Sequence, residues 1–305
     1  MYPSDVSQLF GCVMLVRITS LGTSVVIDCT LAPELGKWMT DAEAVYRMIP
    51  GGSAGHCDVG EKTDISVSPI GGSWRVAFGR TRFETHRPED VLSIAGGLLE
   101  RRRQTELGVC HLHSTAVVRG ADAIVIFGGA NSGKTTLALS LQEYGWEFAY
   151  DDKVLVAPER VEIAGGRPYV RVAEHLVAAG LLPGPAGPLV PLPISSGSSP
   201  WRIRALIRPF LTHLASDAEL RTLTPDELPW EVYPHISEAI SLPRQIRTFD
   251  EALPGMDTRM LASWRARAVA TFCRSCPGAE VIGSASAAAR LVAMFARDSR
   301  SEPTN

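Results

Sequence analysis

Lysine is nearly missing from this chain: of its 30 basic residues only four are lysine, at positions 37, 62, 134 and 153, and the other 26 are arginine. Genomic base composition explains such a skew more simply than function does, but it makes a lysine inside a motif conspicuous. A basic excess is missing as well. Thirty-three acids against 30 bases leave a formal net charge of −3, which gives no electrostatic footing for a nucleic-acid or anionic-membrane partner. Long apolar runs are also lacking. The longest near the N-terminus, Leu9 to Val16, stops at Arg17, well short of the roughly 20 residues that span a bilayer. With Asp5 ahead of that run and no basic n-region, no signal peptide is expected, and the protein is expected to be cytoplasmic. Six cysteines (12, 29, 57, 110, 273 and 276) show no disulfide framework and are expected as thiols in a reducing compartment. Cys273-Arg274-Ser275-Cys276 has no second pair to complete a zinc site. There is no internal repeat.

What the chain does have is an octet, Gly128-Gly129-Ala130-Asn131-Ser132-Gly133-Lys134-Thr135, that satisfies the phosphate-loop pattern G-x4-G-K-[ST] in full. The glycines let successive backbone N–H groups curl around phosphates, Lys134 can reach the β and γ oxygens, and the Thr135 hydroxyl can ligate Mg²⁺. Context agrees. Ala123 to Phe127 reads as a buried strand, and Thr136 to Leu141 carries a helix away from the loop to a stop at Gly145. The expected ligands are therefore ATP and Mg²⁺, held by residues 128 to 135 together with Thr136.

After Gly145, Trp146 to Tyr150 reads as a strand that ends on Asp151 and Asp152. A right-handed crossover would lay it parallel to the loop strand and bring both acids beside the phosphates. One acid could hold magnesium and the other accept a proton from an attacking hydroxyl. Upstream, Leu112 to Val118 reads as a further strand carrying His113. In Cys110-His111-Leu112-His113 the cysteine and histidines fall on opposite strand faces, which leaves too few metal ligands without help from elsewhere.

Here the chain resembles a family, the HPr kinase/phosphorylase group of phosphate-loop kinases. That group has a histidine fifteen residues before the first loop glycine and an Asp-Asp pair beginning seventeen residues after the loop lysine, the spacings of His113 to Gly128 and of Lys134 to Asp151. The match runs from about Leu112 to Leu155. It implies that Lys134 and the loop amides hold the triphosphate, Thr135 binds Mg²⁺, Asp151 is the general base, Asp152 is a metal-associated acid and His113 stands near the transferred phosphate. Members that act on HPr carry a downstream Glu-Ile-Arg-Gly-Leu-Gly type signature with a metal-binding glutamate. The stretch Pro168 to Glu174 keeps Arg171 and offers Glu174 out of register. The resemblance therefore points to the broader HPr-kinase-like set, which includes free-serine kinases and kinases of peptide precursors, as in lasso-peptide pathways.

The expected architecture is α/β, a kinase core over residues 107–305 with a smaller β-rich module over 1–106. In the module, strands are expected at 13–18, 24–29, 64–68, 74–78 and 81–85, and Pro88 opens a helix with Val91, Leu92, Ala95, Leu98 and Leu99 on one face. Glu100-Arg101-Arg102-Arg103 is expected to be its solvated end. Strands at 154–157, 161–164 and 279–282 and helices at 260–273 and 285–297 continue the pattern. The proline-rich segment 183–200 cannot be helix or central strand, and is expected to be either a lid or acceptor-binding element or an ordinary surface loop. Arg202, Arg204, Arg208, Arg244 and Arg247 are candidates to stabilise the transferring phosphoryl. The expected function is an ATP-dependent kinase of a hydroxyl, on a peptide serine or a small molecule. The alternatives are a nucleotide-binding regulator with little or no turnover, or HPr kinase/phosphorylase proper. A homo-oligomer is left open.

Overall fold

A computed structural model describes residues 13–178, 180–182, 185–192, 200–238, 240 and 256–299. Arg244 and Arg247, and the proline-rich positions 183, 184 and 193–199, lie outside the described residues. The architecture is mixed α/β, in two compact units that divide between Leu99 and Glu100, with Met256 belonging to the first.

The first unit holds β1 (Leu15–Ser20), β2 (Thr23–Asp28), α1 (Pro33–Met39), α2 (Ala42–Met48), β3 (Gly52–His56), β4 (Ile65–Ile70), β5 (Ser73–Phe78), β6 (Thr81–Thr85) and the start of α3 (Pro88–Arg102). Its strands form one sheet in the order β3-β1-β2-β4-β5-β6. All neighbours are antiparallel except β2 and β4. The expected strands are present to within two residues. Val91, Leu92, Ala95 and Leu99 of α3 pack into the core of this unit and Leu98 lies at its edge, as the helical spacing predicts.

The end of α3 corrects the sequence reading. Glu100 and Arg103 are buried rather than solvated, while Arg101 is exposed and Arg102 half-buried; a π-helical turn over Arg103–Leu107 follows α3, and the buried pair has partners on the helix and on β7. Glu100 Oε2 accepts from Arg103 Nη2 at 2.7 Å, while its Oε1 accepts from Gln104 Nε2 and the His111 N–H, both at 2.8 Å. Burial alone would raise the Glu100 pKa, but the guanidinium and these hydrogen bonds hold it below the usual carboxylate range.

The second unit contains β7 (Cys110–Leu112), β8 (Ser114–Arg119), β9 (Asp122–Phe127), α4 (Lys134–Ser140), β10 (Glu147–Tyr150), β11 (Val154–Ala157), β12 (Glu162–Gly166), β13 (Tyr169–Arg171), α5 (Glu174–Ala178), β14 (Leu189–Pro191), β15 (Trp201–Leu211), β16 (Ala218–Leu223), α6 (Leu228–Ser237), α7 (Arg259–Ser275), β17 (Gly278–Gly283) and α8 (Ala285–Asp298). The main sheet runs β10-β8-β9-β15-β12-β11-β7, with β17 and β16 added beside the C-terminal half of β15. Strand periodicity divides β9 between two cores. Ala123, Val125 and Phe127 pack with residues of α6 and α7, and Ile124 and Ile126 pack with residues of α4 and α8. The sheet is thus covered on both faces, which is why β9 is apolar nearly throughout. Among the described residues no helix is long and apolar enough to cross a membrane.

Two expectations meet differences. β10 has the direction of β9, as the crossover argument requires, but does not adjoin it: β8 lies between and is antiparallel to both. The expected strand 112–118 is broken at His113, where the chain leaves its pairing with β11 and joins β9 and β10. Among the described residues, 189–191 of the proline-rich segment pair only with β13, in a separate two-stranded sheet. Five described cysteines (29, 57, 110, 273 and 276) are free thiols.

Candidate functional site

The loop between β9 and α4 takes a shape its glycines permit. Gly128 has φ 143° and Gly133 has φ 98°, both in the region that side chains avoid. A Cβ on Gly133 would also sit 2.7 Å from Leu211 Cγ. Gly129, Ala130 and Asn131 form an exposed tip, while Gly128 is buried and Ser132 and Gly133 are half-buried. Inside the curl, Lys134 Nζ donates to the carbonyls of Gly128 and Gly129 at 2.9 and 2.8 Å. Burial lowers the Lys134 pKa, against the charges of Asp152, Asp151 and Glu238. The Ser132 hydroxyl oxygen is buried with no hydrogen-bond partner among the described residues. Thr136 follows, half-buried, in the first turn of α4.

Directly after β10, Asp151 turns back toward the loop. Its Oδ1 accepts from Thr135 Oγ1 at 3.0 Å and from Thr115 Oγ1, on β8, at 2.8 Å. Arg167, just after β12, donates from Nε to the Asp151 carbonyl at 3.1 Å and places Nη2 3.9 Å from Asp151 Oδ2 and 3.4 Å from Asp152 Oδ2. Burial raises the Asp151 pKa even against these partners. Asp152 occupies left-handed backbone, φ 66°, a strained conformation that recurs at functional sites. Its Oδ1 lies 3.1 Å from His113 Nε2.

His113 sits at the break between β7 and β8, with Nδ1 2.7 Å from Glu238 Oε2 just past α6. Its backbone N–H donates to the His235 carbonyl at 3.1 Å, tying the end of α6 to the strand break. Burial disfavours charge on His113, but the two carboxylates outweigh it and raise the pKa to about 9. Asp152 moves the other way: burial would raise it, and the His113 bond with the Arg167 charge pulls it well below the usual range. His235 packs edge-on against His113 and Phe127, with centroids 6.0 and 5.9 Å away. Burial lowers its pKa to about 4.

His113, Thr135, Asp151 and Asp152 are therefore joined in one hydrogen-bonded group beside Lys134. Glu174 is not among them: it is exposed at the start of α5, and no contact with this group occurs among the described residues. Arg171 is exposed on β13, and Arg167 reaches the acids instead. Of the other described arginines, Arg204 pairs with Asp122 at 2.5 Å. Arg208 binds Glu231 at 2.7 Å and Glu280 at 3.5 Å, with its stem close to Gly128. The residues sequence reasoning missed are Thr115, Arg167, His235 and Glu238. The one local signal was the spacing His235-x-x-Glu238 at the end of a helix.

Hard oxygen donors stand together at Thr135 and Asp151, the Ser132 hydroxyl is buried without a partner among the described residues, and Lys134 is held inside the curl. These features fit a magnesium-bound phosphate chain. A comparison with protein-family models gives no match to this chain, and a comparison with curated proteins gives none.

Proposed function

We propose that this chain is an ATP-dependent kinase that transfers the γ-phosphoryl group to a hydroxyl, on a peptide serine or a small molecule, with a phosphate-loop core of the HPr-kinase type. The observation that carries the reading is the hydrogen bond from Thr135 to Asp151. It couples the hydroxyl of the phosphate-loop sequence to the acid expected from spacing alone. Thr135 and Asp151 would hold a magnesium ion, which would supply neutralisation of the phosphate charge.

The chain's own groups divide the work. Lys134 exchanges the Gly128 and Gly129 carbonyls for phosphate oxygens. Thr135 donates a hydrogen bond to Asp151, so its lone pairs would be left for a metal ion, and Asp151 would be the carboxylate that supports that ion. Asp152, half exposed and held by His113 and Arg167, orients the acceptor hydroxyl and takes its proton as the new P–O bond forms and the bond from the γ-phosphorus to the departing ADP breaks. This exchanges the roles that the family resemblance implied for the two acids. An acid of low pKa suffices here because a loose phosphoryl-transfer transition state needs little deprotonation in advance. His113 keeps Asp152 in place and adds positive charge near the transferring group.

Calorimetric titration with Mg-ATP, followed by phosphotransfer assays on free serine and serine-containing peptides, tests the reading. Lys134→Ala is expected to abolish binding and transfer while the protein stays folded. Unchanged affinity in that variant would overturn the proposal.

A further inference from the structure

We infer that His113, His235 and Glu238 form a binding site for a transition-metal dication of the zinc class. One ligand atom from each lies within 4.8 Å of the others, and all three residues are partly accessible. Two imidazoles with one carboxylate select zinc or cobalt over magnesium and calcium, which take oxygen ligands alone. Such a set also leaves a fourth, open position.

Three features prepare the site. The His113 N–H to His235 carbonyl bond at 3.1 Å fixes the strand break to the end of α6, so the backbones of the ligands are held together. The ring of His235 is lodged between His113 and Phe127. On His113 the nitrogen facing Glu238 is Nδ1, at 2.7 Å, while Nε2 faces Asp152 at 3.1 Å. A metal-bound histidine commonly donates its second ring N–H to a carboxylate, which fixes the tautomer and the ring plane. Asp152 stands in that place. With bonds of about 2.0–2.1 Å, tetrahedral ligands lie roughly 3.3 Å apart, so small side-chain rotations bring the three atoms to coordination distance. The inference rests on these side chains and not on the kinase reading, with which it shares His113 and Asp152; zinc on Nδ1 would replace the imidazolium charge there by that of the metal.

The test uses the full chain, stripped with a chelator and titrated with Zn²⁺ against a chromophoric zinc indicator, and with Co²⁺ to read ligand-field absorption. Stoichiometric Zn²⁺ binding and tetrahedral or five-coordinate Co²⁺ bands are expected, undisturbed by millimolar Mg²⁺. Loss of a ligand in His235→Asn or Glu238→Gln should weaken Zn²⁺ by at least about 100-fold, and Asp152→Asn, which removes the orienting carboxylate, by about 10-fold. Circular-dichroism melts of the metal-free variants check folding. Should His235→Asn not fold, Glu238→Gln, which alters a partly solvated side chain, decides alone. Absence of Zn²⁺ binding, or equal affinity in wild type and a folded ligand variant, would overturn the inference, the latter by placing the metal on the cysteines or other histidines.

Discussion

At the scale of single residues, Asp151 and Asp152 are neighbours in sequence with opposite environments, and that contrast sets their expected phenotypes. Asp151→Asn leaves an amide against two threonine hydroxyls that now donate to a carboxylate, so it should weaken magnesium-dependent nucleotide binding. Asp152→Asn should leave nucleotide affinity close to wild type and lower turnover by about 10² to 10⁴. Binding calorimetry and initial rates at varied Mg²⁺ separate the two, and the reverse pattern would restore Asp151 as the base. His113 gives a pH signature. Its folded-state pKa of about 9 lies above the ordinary histidine value of about 6.5. The stability it contributes is thus fully present below about pH 6.5 and lost as pH rises through about 9. Because Asp152 and Glu238 are partly solvated, the expected size is about 1–2 kcal/mol. In chelator, urea unfolding midpoints of wild type should fall between pH 6.5 and 9 more than those of His113→Gln; parallel curves would count against the charged pair.

At the scale of elements, what could be read from sequence was what is contiguous. β9, the loop and α4 follow one another without interruption, so composition and turn residues sufficed, and Asp151 could be found because the strand that carries it returns within one crossover. Other elements were hidden by their own residues. β15 carries arginine at 202, 204 and 208, which interrupts the apolar run of a strand that lies centrally in the sheet. α6 has Pro229 in its first turn and Pro234 inside it, so it did not read as a helix, and Glu238 and His235 went unseen with it. Arg167 reaches the acids only because β12 folds back on β11, a pairing that no local pattern announces. The charge run at the end of α3 misled for a related reason: Glu100 is buried with partners at Arg103, Gln104 and the His111 N–H, the last brought back only by the strand that follows. Glu100→Ala should therefore remove the buried partner of Arg103 and cost about 3–5 kcal/mol, read as a thermal midpoint roughly 6–20 °C lower. A loss under about 1 kcal/mol would return this run to the solvated face that its composition suggested.

At the scale of the whole molecule, each unit has its own apolar core, and the loop, the paired acids and the histidines all belong to the second. A ligand that binds only the folded form of one unit stabilises that unit by mass action, about 2.7 kcal/mol at a hundredfold excess over its dissociation constant. Scanning calorimetry is expected to resolve two transitions. They can be assigned with Ile27→Val, a core change in the first unit that costs about 0.5–1.5 kcal/mol, and with Glu100→Ala in the second. Mg-ATP should raise the transition that Glu100→Ala lowers and leave the other where it is, and Lys134→Ala should remove the shift. If the nucleotide moves the transition marked by Ile27→Val instead, the nucleotide does not bind at the glycine loop, and the case for a kinase built on residues 128 to 152 fails with it. If both variants and the nucleotide move one common transition, the units unfold as a single body, and the Lys134→Ala comparison alone assigns the binding.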